Sequence, residues 1–142
     1  EYNQFIGTSH GGKTTKIHAV VDALGNPVQF LLTGGQIHDA KVAIELLSRV
    51  KITGSNILAD KAYGSEQIRG YITAQGAVYT IPPKNNLVDP WFCDFCTYKE
   101  RHVVECFFNK MKSFRRVATR YDKLASSFFA FVLLAAIWLL AK

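Results

Sequence analysis

Two carboxylates in basic surroundings are the residues of this chain best placed to do chemistry. Asp60 follows the apolar run Ile57-Leu58-Ala59 and opens the segment Asp60-Lys61-Ala62-Tyr63. Glu105 stands in the series Tyr98-x2-Arg101-x3-Glu105-x6-Lys112, a spacing suited to a helix. A strand-end acid coupled to a helical acid, with cations beside them, is the arrangement that divalent-metal chemistry on a phosphate polyanion requires: oxygen ligands hold a hard ion, and positive charge holds the phosphate. A third carboxylate is missing from the pattern, and its absence matters as much as the two that are present.

The elements that must position these acids follow from periodicity and turn chemistry. Residues 1–14, with Gly7, Gly11 and Gly12, read as an irregular lead-in. Ile17, Ala19 and Val21 alternate with Lys16 and His18, which predicts a strand over 15–21; residues 22–27 are turn-formers, and 28–33 a second strand, giving a hairpin. After Gly34-Gly35, Asp39 reads as an N-cap for a helix carrying Val42, Ile44, Leu46, Leu47 and Val50 and stopping near Gly54. A short strand over 56–59 ends at Asp60, a helix over about 66–74 closes at Gly76, and a strand over 78–81 stops at Pro82-Pro83. A loop to Phe95 leads to a long helix over about 98–117 and a final apolar helix from about Ser126. A hairpin followed by helix-linked strands predicts an α/β fold with a mixed sheet and flanking helices, and 142 residues predict one domain with a real core.

On a regular helix Tyr98, Arg101, Glu105, Asn109 and Lys112 fall within an arc of roughly 80°, with Val103, Phe107, Met111 and Phe114 opposite. Amphipathicity alone explains such a face. Asp60 gives it further meaning, because in sheets whose strands are joined by helices, ligands and metals gather at the carboxyl ends of strands.

The charge excess is 17 basic minus 11 acidic residues, or +6. Much of it falls in one stretch, where Lys110, Lys112, Arg115, Arg116, Arg120 and Lys123 face only Asp122. Such a patch suits a polyanion, although a solvated helix face would carry the same charges. Three cysteines without a secretory signal point to a reducing, cytoplasmic setting. The apolar run over 128–141 is short of the roughly 18 to 20 residues that cross a bilayer, so it reads as a buried terminal helix, with no membrane partner. Cys93-x2-Cys96-x5-His102-x3-Cys106 contains four ligands of zinc type, with His102 and Cys106 one helical turn apart. Against zinc stand a single Cys-x-x-Cys, a short middle spacing, and Trp91, Phe92 and Phe95 around Cys93, where cysteine serves as a small apolar residue. His18 and His38 stand alone and read as structural. The chain opens with Glu1 and its only methionine is Met111, so it is expected to be a piece whose upstream segment is lost, made separately, or joined by a change of reading frame.

Taken together, these residues resemble the DDE transposases of bacterial insertion sequences, in particular family five and the related family four. The likeness runs from Gly11-Gly12-Lys13-Thr14-Thr15-Lys16-Ile17-His18 through Leu32-Thr33-Gly34-Gly35-Gln36 and His38-Asp39 to Arg115-Arg116-Val117-Ala118-Thr119-Arg120-Tyr121-Asp122-Lys123. Asp60-Lys61-Ala62-Tyr63 matches the segment of the second catalytic aspartate, and Tyr98, Arg101, Glu105 and Lys112 match the Tyr-Arg-Glu-Lys signature. The resemblance implies a ribonuclease H-like fold in which three carboxylates hold two Mg2+ (or Mn2+) ions for DNA strand cleavage and transfer, with Asp60 and Glu105 as catalytic metal ligands. The first aspartate of such enzymes lies on a strand before the one expected near Thr15. Glu1 is the only acid among the 14 residues there, while Asp22 lies in the turn and Asp39 reads as a cap.

The expectation is therefore a C-terminal catalytic portion over 1–142, lacking its first strand, with a sheet edge left bare. Alone it is expected to be inactive, needing an upstream half or a full-length transposase as partner and assembling as a homo-oligomer on element ends and target DNA. Arg101 and Lys112 would contact phosphate, and Tyr98 would pack on DNA or orient Arg101. Lys110, Arg115, Arg116, Arg120 and Lys123 would neutralise phosphates further along. The competing expectation is a non-catalytic DNA-binding remnant or truncated inhibitor of a full-length transposase.

Overall fold

The computed structural model describes residues 3–142, which form two compact units. The first comprises the segment through Ile37 together with Val103–Lys142, and the second is His38–His102.

In the first unit, β1 (Gly7–Ser9) pairs antiparallel with the start of β2 (Gly12–Val21), and β2 pairs antiparallel with β3 (Pro27–Gly34). The lead-in expected to be irregular is thus partly a tight hairpin. Gly12 takes φ +96°, which a side chain would resist, and Ser9 and Thr14 hydroxyls meet at 3.0 Å across the pair. The second hairpin is the one expected. Asp22 closes it by accepting the backbone N–H groups of Leu24 and Asn26, both at 2.9 Å. Register runs from Thr15 opposite Gly34 to Ala19 opposite Phe30, then shifts at Val20/Val21.

The helices of this unit are α4 (His102–Met111, with His102 itself in the second unit), α5 (Arg115–Ala118) and α6 (Ala125–Ala141). Phe30 and Leu32 of β3 pack with Phe107 and Met111 of α4, Val117 of α5, and Phe128, Val132, Ala135 and Ala136 of α6. The single helix expected over 98–117 is interrupted. Ser113 turns its hydroxyl back to the Lys110 carbonyl at 2.7 Å, and Phe114 is extended, at φ −86° and ψ 113°. Only one side of α6 is buried, in contrast to the buried terminal helix expected. Leu133, Leu134, Ile137, Trp138 and Leu140 are exposed, because the helix is apolar all round while the core covers one face. Among the described residues no helix is long and apolar enough to cross a membrane.

In the second unit, α1 (Asp39–Ser48) precedes β4 (Asn56–Leu58), a 3-10 turn (Lys61–Tyr63), α2 (Glu66–Ala74) and β5 (Val78–Thr80). Beyond a loop come α3 (Phe95–Tyr98) and a second 3-10 turn (Lys99–Arg101). Strands β4 and β5 are parallel, with Asn56 opposite Val78 and Leu58 opposite Thr80, as the crossover through α2 predicts. Ser65 caps α2 by accepting the Ile68 N–H at 3.2 Å. Val42, Leu46, Leu47, Ile52, Ile68, Ile72 and Ile81 are buried here. Asp39 is the first residue of α1, not its cap; His38 holds the cap position without a side-chain bond. The fold is mixed α/β, as expected. Its described strands divide into a three-stranded antiparallel sheet and a two-stranded parallel one, not one continuous sheet.

Candidate active site

Asp60 lies two residues past β4, at the carboxyl end of a parallel strand. Its backbone is extended, and its side chain caps the 3-10 turn: Oδ1 accepts the Ala62 N–H at 2.8 Å. The Asp60 carbonyl accepts the Tyr63 N–H at 3.0 Å, and the Lys61 carbonyl accepts the Gly64 N–H at 3.3 Å. One carboxylate oxygen is therefore oriented by the chain in a half-buried position.

Tyr63 reports what surrounds this turn. Burial, then the Asp39 carboxylate and then Asp60, push its phenol up to about 12, while Arg101 pulls it down. Asp39, Asp60, Tyr63 and Arg101 thus share one electrostatic neighbourhood. The sequence already set Tyr63 in the Asp60 segment but offered Asp39 only as a helix cap; packing of α1 against the Lys61–Tyr63 turn brings Asp39 there. Because the folded phenol ionises above its ordinary value of 10.0, Tyr63 stabilises the fold below about pH 10, and that contribution is lost as pH rises towards about 12. Ultraviolet titration is expected to show a tyrosinate step near pH 12 that Tyr63→Phe removes.

Tyr98, ending α3, lies beneath Arg101, whose guanidinium carbon is 5.7 Å from the ring centroid. Phe95 meets the same ring edge-on at 6.2 Å. This ring–guanidinium contact is the geometry that orienting Arg101 requires.

Glu105, Lys110, Lys112, Arg115, Arg116, Arg120 and Lys123 belong to the first unit; Asp60, Tyr98 and Arg101 belong to the second. Glu105 is exposed in the first turn of α4, and Lys110 is in its last. Lys112 is exposed one residue past the helix, its N–H still bonded to Phe108 O at 3.0 Å. Arg115 donates through Nε to the Tyr121 hydroxyl at 3.2 Å, and Arg116 lies 3.9 Å from Asp122 and 4.5 Å over Phe131. Lys123 is exposed.

Arg120 differs from these. Nε donates to Asp122 O at 2.8 Å, Nη1 to Gln4 O and Thr15 Oγ1 at 2.7 Å each, and Nη2 to Lys123 O at 2.8 Å. Its guanidinium lies 5.5 Å over Phe128. Burial lowers its pKa, with Asp122 opposing. Four of its five N–H donors hold the N-terminal segment, β2 and the α5–α6 connection together, so Arg120 acts as an internal bracket.

Among the described residues no group of three or more His, Cys, Asp or Glu converges to hold a metal ion. That includes the zinc-type series. Cys93 is buried and its thiol is pushed up by burial and then by Asp94, while Cys96 is exposed. His18 is buried with Nε2 2.7 Å from Thr33 Oγ1, the structural place expected for it, and His38 is exposed ahead of α1.

A basic mixed α/β chain with an oriented carboxylate at a strand's carboxyl end has features of enzymes acting on nucleic-acid phosphates. Residues 3–89 match the family described as the transposase DDE domain. The chain is also 42% identical over 131 residues to a Brucella ovis protein named as a transposase for insertion sequence element IS6501, covering 89% of this chain and 98% of that protein. The chain belongs to the DDE transposase family of insertion sequences, whose members use a divalent metal. The family match contains Asp60 and ends before Tyr98, Arg101 and Glu105. No solved structure matches the chain.

Proposed function

We propose that this chain is the C-terminal catalytic portion, over 1–142, of a ribonuclease H-like DDE transposase that cleaves and joins DNA strands, with Asp60 and Glu105 as its second and third acids. The observation that carries the reading is Asp60: it lies within the family match, past the end of β4, with its carboxylate oriented by the Ala62 N–H, and Tyr63 three residues on feels both Asp60 and Arg101. Its donor chemistry fits Mg2+ or Mn2+, since carboxylate oxygen is the hard ligand such ions take. Asp60 and Glu105 would hold such ions, which would supply activation of the attacking oxygen and neutralisation of charge on the leaving oxygen.

The chain's own contribution is placement. The Ala62 N–H fixes one Asp60 oxygen, and the Tyr98 ring steadies the guanidinium of Arg101, which is suited to grip phosphate in two places. Lys110, Lys112, Arg115, Arg116 and Lys123 neutralise phosphates along the DNA, and Arg120 supports them through the fold. The first aspartate comes from an upstream half or a full-length transposase, and the complex forms as a homo-oligomer on element ends in the cytoplasm.

The second reading is a non-catalytic DNA-binding remnant or truncated inhibitor of a full-length transposase, to which the basic residues past Met111 are equally suited. Cleavage of element-end DNA in Mg2+ after the upstream half is supplied supports the first reading; binding without cleavage supports the second. Under either one, DNA affinity falls with salt. Lys112→Ala and Lys123→Ala are each expected to reduce the slope of log affinity against log salt by about 0.9, read by fluorescence anisotropy between 50 and 200 mM salt.

A further inference from the structure

The turn that carries Asp60 is braced from behind. We propose that Trp91 and Arg69 are a positioning pair that fixes this turn and, through it, the Asp60 carboxylate. The inference rests on the reading of Asp60 as a ligand of a divalent ion.

The brace starts at the sheet. Trp91 donates its indole N–H to the Ile81 carbonyl, just past β5, at 2.7 Å. The Arg69 guanidinium carbon lies 3.9 Å from the centroid of the Trp91 ring, close enough for flat stacking. Arg69, on α2, also reaches the Tyr79 hydroxyl at 3.5 Å and donates through Nε to the Gly64 carbonyl at 3.4 Å. Gly64 closes the turn that Asp60 opens.

Its φ of −81° and ψ of 24° are open to any residue, so backbone freedom does not explain the glycine. Close approach does. A Cβ at Gly64 would lie 3.0 Å from Trp91 Cζ2, 3.1 Å from Cη2 and 3.3 Å from the Lys61 carbonyl oxygen. The end of the turn is pressed against the indole while Arg69 holds its carbonyl.

Between Asp60 and Gly64 the turn has little slack. Ala62 N–H goes to Asp60 Oδ1, Tyr63 N–H to Asp60 O, and Gly64 N–H to Lys61 O. A displacement at Gly64 is therefore transmitted to the carboxylate. Spacing in the sequence gives no hint of this brace, because Arg69 and Trp91 meet through a ring face and not through a motif.

The test uses the chain as it is, with two readouts that need no catalysis: amide hydrogen exchange, and Mn2+ affinity by electron paramagnetic resonance. Trp91→Ala is expected to speed exchange at Ala62 and Tyr63 about tenfold while the α2 amides stay protected, and to weaken Mn2+ binding about tenfold, the lower end of what lost ligand-orienting contacts cost. Trp91→Phe, which keeps a ring face for Arg69, is expected to recover most of both. Gly64→Ala, which keeps the indole, is expected to disturb the same two amides and Mn2+ binding, so the inference stays testable if Trp91→Ala does not fold. Unchanged exchange and Mn2+ affinity in Gly64→Ala or in folded Trp91→Ala would overturn it. Asp60→Asn separates the two layers: if it leaves Mn2+ affinity unchanged, the ligand reading of Asp60 fails, and if it weakens Mn2+ while the brace variants do not, the positioning inference alone fails.

Discussion

Glu105→Gln is expected to lower strand cleavage by about 10³-fold or more, in the chain supplied with its upstream half, while affinity for element-end DNA stays within about twofold. The change is nearly isosteric and removes the negative charge, so an ion held by that carboxylate loses an anionic ligand. Glu105 is exposed in the first turn of α4, outside the buried core. Single-turnover cleavage measured beside a gel shift separates the effects. Cleavage retained with normal binding would remove Glu105 from the catalytic set.

Phe128→Ala is expected to cost about 3–5 kcal/mol of stability, because truncating a buried aromatic loses its transfer energy and leaves a cavity. Phe128 is 2% exposed, in the core cluster with Phe107, Met111 and Val132, and the Arg120 guanidinium lies on its ring. Leu134→Ala, on the same helix but 59% exposed, is expected to change stability by no more than about 0.5 kcal/mol. Thermal melts of both variants read the contrast: a drop of about 10 °C in the first and almost none in the second. Equal shifts would mean that α6 does not present one buried and one open face.

Much of the fold could be read from local chemistry. The second hairpin announced itself by strand alternation and by Asp22 and Gly25 in its turn, and the parallel pair by a helix between two short apolar runs. The place of Asp60 just after β4 was legible for the same reason, since an acid following a short apolar run is a local pattern. What escaped was set by distant partners or by competition within a turn. Arg120 looked like one more cation in a basic run, yet its partners Gln4 and Thr15 are 116 and 105 residues away. The break after Met111 depends on Ser113 bonding back to Lys110, which a hydrophobic period running through Phe107, Met111 and Phe114 conceals. The open face of α6 depends on how much surface the core has to offer, which an all-apolar sequence does not encode.

The central claim is that Asp60 is a catalytic acid of a DNA strand-transfer enzyme completed by an upstream segment. A nicking assay on element-end DNA with Mg2+ or Mn2+ tests it most directly, comparing this chain alone, this chain with the upstream half, and the same pair carrying Asp60→Asn. The account predicts nicking by the wild-type pair only, with Asp60→Asn silent in both metals. Nicking that survives Asp60→Asn, or DNA binding without nicking in every combination, would contradict it.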